Sequence, residues 1–138
     1  MGKLIRFGVS MDKDLVVRFD RLIDDEGYVN RSEAIRDLIR GRLVEEEWEE
    51  DDEVCGGILL VYDHHKHNLT EKITEIQHHF YKLVISTQHI HMDHDNCMEI
   101  ISVRGKAKDI HKFFNKLRAT TGIKQCDVIK ATVGDKIK

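Results

Sequence analysis

The chain contains no proline. Turns and element ends therefore rest on glycine and short polar residues alone. Its three cysteines, Cys55, Cys97 and Cys126, are odd in number and widely spaced, with no C-x-x-C pair. That argues against a disulfide framework and fits a reducing compartment, where a free thiolate can serve as a ligand. No segment approaches the roughly 20 apolar residues needed to span a bilayer. The first residues lack the apolar core of a signal peptide. The expectation is a soluble, cytoplasmic protein with no membrane partner. A lasting excess of one charge is missing too. Residues 1–44 hold nine Lys/Arg and eight Asp/Glu, and residues 54–138 hold thirteen Lys/Arg and nine Asp/Glu. The net charge of -3 belongs to residues 45–53, which hold eight carboxylates and no base. Overall charge thus does not exclude nucleic acid as a partner. A length of 138 residues allows one ordinary domain or two very small ones.

What the chain does have is histidine. Eight of its nine lie between His64 and His94. The pattern His89-x-His91-x5-Cys97 places two imidazoles and a thiol within nine residues. Alternation along a strand puts His89 and His91 on one face, about 7 Å apart along the backbone. Asp93-His94-Asp95-Asn96 reads as a turn and returns Cys97 beside them. Nitrogen and sulfur donors suit a borderline or soft transition metal: zinc in a tetrahedron, or nickel(II) or copper(II) in a square plane. His78 offers a fourth donor, from the same chain or a neighbouring subunit. Glu99 shares a strand face with Cys97 and could accept a hydrogen bond from a ligand imidazole; the plain alternative is an exposed strand glutamate. His64, His65 and His67 form a second cluster, read as a polar loop more readily than as a weaker site. His94 is expected to be exposed.

Local patterns predict an α+β chain of two domains, residues 1–50 and 51–138. Leu4–Met11 alternates as a short strand, with Ile5, Phe7 and Val9 on one face and Arg6, Gly8 and Ser10 on the other. A helix follows, stopped by Gly27. Asn30 caps a second helix, with Glu33 three residues on. One strand and two helices leave both strand edges unpaired and bury little surface, so the unit should exist only as a dimer with a two-stranded antiparallel ribbon. Residues 45–53 read as the solvated end of that helix running into a linker. The rest predicts strands at Val54–Tyr62 (buried on both faces), Thr87–Met92, Cys97–Arg104 and Lys124–Val133, with helices at Leu69–Ser86 and Lys106–Thr121. That order is a split βαβ, ferredoxin-like arrangement.

A ribbon of this kind can enter the major groove of duplex DNA. Arg6, Gly8 and Ser10 would face the bases. The free N–H groups at Arg31 and Ser32 would meet a phosphate, with Lys3 and Arg31 adding charge.

Three stretches in this order resemble the nickel-responsive transcriptional regulators: Asn30-Arg31-Ser32-Glu33-Ala34-Ile35-Arg36-Asp37, Gln77-His78-His79, and His89-Ile90-His91-Met92-Asp93-His94-Asp95-Asn96-Cys97-Met98-Glu99. The resemblance spans nearly the whole chain. It implies an N-terminal ribbon-helix-helix domain and a C-terminal ACT-like domain, assembled as a homotetramer, a dimer of dimers. It implies one Ni(II) per subunit in a square plane, held by His89, His91 and Cys97 of one subunit and His78 of another. It also implies a second cation, potassium or a divalent metal, at Glu33 and Asp37. Gly8 departs from relatives that often carry a base-touching side chain there, which leaves the operator sequence open. The function implied is nickel-dependent repression of a nickel-uptake gene through a palindromic operator. Competing readings are an ACT-like repressor sensing a small molecule or another metal such as zinc or copper, a metalloenzyme, and a nickel store. No catalytic base stands out for an enzyme.

Overall fold

The computed structural model describes residues 2–138. Its contacts divide the chain into two compact units, one ending at Ile39 and one beginning at Arg40. The first unit holds helix α1, Lys13–Asp25, and the start of α2, Arg31–Glu49. Asp12 caps α1 by accepting the Asp14 N–H at 2.9 Å. Gly27 ends it with φ +83, a left-handed conformation that glycine adopts without strain. The Tyr28 N–H then reaches back to the Ile23 carbonyl at 2.9 Å, and the Gly27 N–H to the Asp24 carbonyl at 3.0 Å, a Schellman closure. Asn30 caps α2, accepting the Glu33 N–H at 3.0 Å.

Leu4–Met11, expected as a strand, has no strand pairing in the single chain. The physical reason is that a ribbon needs a second set of N–H and C=O groups, and this unit supplies only one. Its apolar side chains stand in solvent: Ile5 is 79% exposed, Phe7 73% and Val9 62%. Among the described residues of this unit, only Ile23 and Ala34 are buried. Full burial of a large apolar side chain contributes about 1.5–3 kcal/mol, while each ordered residue costs roughly 1–2 kcal/mol of backbone entropy. Two buried residues cannot offset that cost, so this unit depends on association.

The second unit has its own core. Strands β1 (Glu53–Asp63), β2 (Val84–His91), β3 (Asn96–Lys106) and β4 (Ile123–Ala131) form a sheet in the order β2-β3-β1-β4, with every pair antiparallel. Helices α3 (Leu69–His79) and α4 (Ala107–Arg118) complete the β-α-β-β-α-β order. Burial alternates along β1 and β3: Val54, Ile58, Leu60 and Tyr62 pack with Cys97, Ile101 and Val103 against Ile73, Ile110, Phe113 and Leu117. Among the described residues, no helix is long and apolar enough to cross a membrane.

Three expectations are corrected. The α3 helix stops at His79 and not near Ser86. The segment after it turns, with the Leu83 N–H on the Phe80 carbonyl, and the Arg104 N–H then claims the Leu83 carbonyl at 2.9 Å. The β-branched pair Val84 and Ile85 so opens a strand. Burial of β1 on both faces is not seen: Leu59 and Val61 are half-buried. The acidic stretch is the end of a helix, as expected, but it is not wholly solvated. The α2 helix continues to Glu49, and Trp48 is buried. Its indole N–H donates to the Ala131 carbonyl at 3.0 Å, and its ring meets His111 edge-on. The acids flank an aromatic anchor whose burial outweighs its charged surroundings.

Trp48 lies so close to β1 that a Cβ on Gly56 would come within 3.2 Å of it and within 2.9 Å of the Ile129 carbonyl oxygen. A Cβ on Gly57 would meet nothing within 4 Å. Gly56→Ala is expected to destabilise the second unit by about 1–3 kcal/mol. Gly57→Ala should stay within about 0.5 kcal/mol of the parent. Urea unfolding followed by Trp48 fluorescence checks both.

Candidate metal centre and nucleic-acid face

The hairpin β2–β3 carries the candidate donors. Asp93 organises its turn: Asp93 Oδ1 accepts the Asp95 N–H at 2.9 Å and the Asn96 N–H at 2.8 Å. These bonds, the Asn96 N–H foremost, hold the Asp93 carboxyl below its ordinary range. Lys124 Nζ donates to Asn96 Oδ1 at 2.6 Å and ties the turn to β4. The resulting register sets His91 opposite Cys97 and His89 opposite Glu99. Residues directly opposite share a sheet face, so all four side chains lie on the side that carries the helices. β2 is an edge strand, which leaves His89 and His91 exposed while Cys97 and Glu99 are buried.

The ring centroids of His89 and His91 are 5.0 Å apart. Cys97 Sγ donates to the Tyr62 carbonyl at 3.7 Å. Burial pushes the Cys97 thiol above its ordinary value, so a cation would have to supply the charge that stabilises the thiolate. Glu99 is no exposed glutamate. It is 7% exposed, accepts the Tyr62 hydroxyl at 2.7 Å on Oε2, and faces His89 Nδ1 at 3.8 Å with Oε1. Burial, then the bond to Glu99, raises the Tyr62 phenol far above its ordinary value. Tyr62 was not singled out from sequence. Its only signal was its place at the end of an apolar strand.

His78 sits in the last turn of α3 and lines a hollow with Thr74, Gln77, Tyr81, Val84 and Glu99. Among the described residues, no hydrogen bond or ring contact joins it to His89, His91 or Cys97. The donor atoms of those three do not all approach within 4.8 Å of one another in the single chain. Among the described residues, the one trio that does is His65, His94 and Asp95. The donor set is soft and correct in type for nickel, zinc or copper, but one chain assembles it only in part.

The residues expected to face DNA are exposed: Lys3, Arg6, Gly8, Ser10, Arg31 and Ser32. Nothing lies within 4 Å of a Cβ built on Gly8, so that position is open. Arg31 is already engaged. Its guanidinium forks onto Asp20 at 2.8 and 2.7 Å, a bond that holds the Asp20 carboxyl below its usual range. Glu33 pairs with Arg36, and Asp37 accepts the Tyr28 hydroxyl at 2.7 Å.

Comparison with known proteins defines the class. Residues 5–46 match the model of the ribbon-helix-helix proteins of the copG family, and residues 55–131 match that of the NikR C-terminal nickel-binding domain. A ribbon-helix-helix unit is a dimeric DNA-binding element. Full-length relatives agree. The chain is 51% identical over 134 residues to a protein of Syntrophus aciditrophicus, covering 97% of this chain and 98% of that one. It is 49% identical over 138 residues to one of Geobacter sulfurreducens, covering 99% of each. Both are provisionally named nickel-responsive regulators. The chain belongs to this family, which is one of transcription regulators and not of enzymes. Among solved structures, the uncharacterized protein TM1266 from Thermotoga maritima shares the fold alone, with a TM-score of 0.52 at 10% identity over 57% of this chain and 98% of that chain.

Tyr62→Phe leaves Glu99 Oε2 buried without its donor. The expected cost is about 1–3 kcal/mol of stability. Thermal unfolding measured beside Glu99→Gln and the Tyr62→Phe/Glu99→Gln double variant checks this: non-additive losses identify the pair as a unit.

Proposed function

We propose that the chain is a nickel-dependent transcriptional repressor of nickel uptake in the cytoplasm, binding a palindromic operator as a dimer of dimers. Residues 1–50 serve as the DNA-binding part and residues 51–138 as the metal-binding and tetramerising part. His89, His91 and Cys97 of one copy, with His78 of another, hold one Ni(II) per subunit in a square plane. The observation that supports this most is the β2–β3 register, which sets both imidazoles and the thiol on one face while leaving the donor set one short. A site completed only between copies discriminates between assembled and unassembled states, and a ligand shifts an equilibrium only by such differential affinity. Glu99 steadies His89, and Tyr62 steadies Glu99. Glu33 and Asp37 hold a second cation, potassium or a divalent metal, once released from Arg36 and Tyr28.

On the DNA side, paired segments from two copies form the ribbon. Arg6 and Ser10 read base edges beside Gly8, while Lys3, Arg31 and Ser32 meet phosphates. Arg31 must exchange Asp20 for phosphate, a swap between two bidentate acceptors.

A gel-shift screen of random palindromic DNA, with and without nickel and at two salt concentrations, tests the reading. Nickel is expected to tighten operator binding by about 5–150-fold. Cys97→Ala should abolish that gain together with the thiolate-to-nickel absorption band, and nickel-dependent binding at full affinity by this variant defeats the proposal. On the selected operator, Arg6→Ala should lose about 1–3 kcal/mol of affinity and relax base preference. Lys3→Ala should weaken all sequences alike and reduce the salt slope by about 1.

A further inference from the structure

We propose that His65, His94 and Asp95 form a second site, distinct from the Cys97 centre, which binds a divalent transition-metal ion and clamps the β2–β3 turn to the loop after β1. These residues come from two segments far apart in sequence. His65 follows β1, whereas His94 and Asp95 sit in the turn between β2 and β3. The fold brings one donor atom from each within 4.8 Å of the others.

The spacing suits a metal. His94 Nδ1 lies 3.0 Å from Asp95 Oδ1, and His65 Nε2 lies 3.6 Å from the same oxygen. Zinc-to-ligand bonds of about 2.0–2.2 Å separate neighbouring donors by about 3.0 Å at right angles and about 3.4 Å in a tetrahedron. His65 Nε2 also lies 3.1 Å from the His94 carbonyl oxygen; an ion takes the place of the proton in that contact. Two imidazoles and one carboxylate are the ligand types that zinc, nickel and copper share, and all three are exposed enough to be reached from solvent.

Both segments are held in place before any ion arrives. The His65 N–H is fixed on Asp63 Oδ1 at 2.9 Å, and the Asp95 N–H on Asp93 Oδ1 at 2.9 Å. The β1–β3 ladder ends at the Asp63–Asn96 pair, and beyond it one backbone bond joins the two segments, the His64 N–H on the Asp95 carbonyl at 3.1 Å. An ion on the triad adds a stronger link in parallel with that bond. The clamped turn immediately precedes Cys97, so occupancy stiffens the segment that presents the thiol and His91.

The test uses full-length Cys97→Ala, in which the inner centre is disabled, dialysed against excess Zn(II). Adding His65→Ala, or separately Asp95→Asn, should lower bound zinc by one ion per chain. Amide hydrogen exchange across residues 92–97 should slow several-fold with zinc in Cys97→Ala and stay unchanged in the combined variants. Equal zinc content in all three proteins overturns the site. Unequal content with equal exchange overturns the clamp. Neither result depends on nickel at Cys97, so the repressor reading and this inference fail separately.

Discussion

Antiparallel pairing of β2 with β3 is the contact on which the rest depends. A strand register is an all-or-none quantity: a slip of one residue would turn every side chain of β2 to the other face. Here the register is secured from three directions. Asp93 ties the turn, Lys124 ties Asn96 to the neighbouring strand, and Cys97, Ile101 and Val103 must stay in the core. With those in place, His89 and His91 have no freedom over which side they present. The side on which these imidazoles stand is thus a by-product of hydrophobic burial one strand away.

The two units solve opposite problems. The second closes a sheet and two helices over a continuous core that includes Phe113, Tyr62 and Trp48. The first buries almost nothing and leaves its alternating apolar residues in solvent. One is a scaffold and the other an incomplete half. That contrast fits a regulator whose DNA-binding unit folds by pairing while its nickel-binding unit folds on its own.

Much of this was legible in residue spacing. Gly27 and Asn30 ended and began helices where expected, because both act through local backbone chemistry that sequence displays directly. The turn at Asp93–Asn96 was legible for the same reason. The extent of α3 was not, because Leu83 and Val84 satisfy a helical stripe as well as a strand, and only the Arg104 hydrogen bond decides between them. Trp48 was hidden by its charged neighbours. The pairing of Tyr62 with Glu99 and the meeting of His65 with His94 depend on contacts 37 and 29 residues apart in sequence, which no local pattern records.

The uncovered row of Ile5, Phe7 and Val9 carries a last consequence. Its folding is bimolecular, so its stability scales with how many copies the cell holds. Scarcity would leave the reading head melted even when metal is abundant. Such a regulator gauges its own abundance as well as its effector, and a newly made chain is unfinished until it meets a twin.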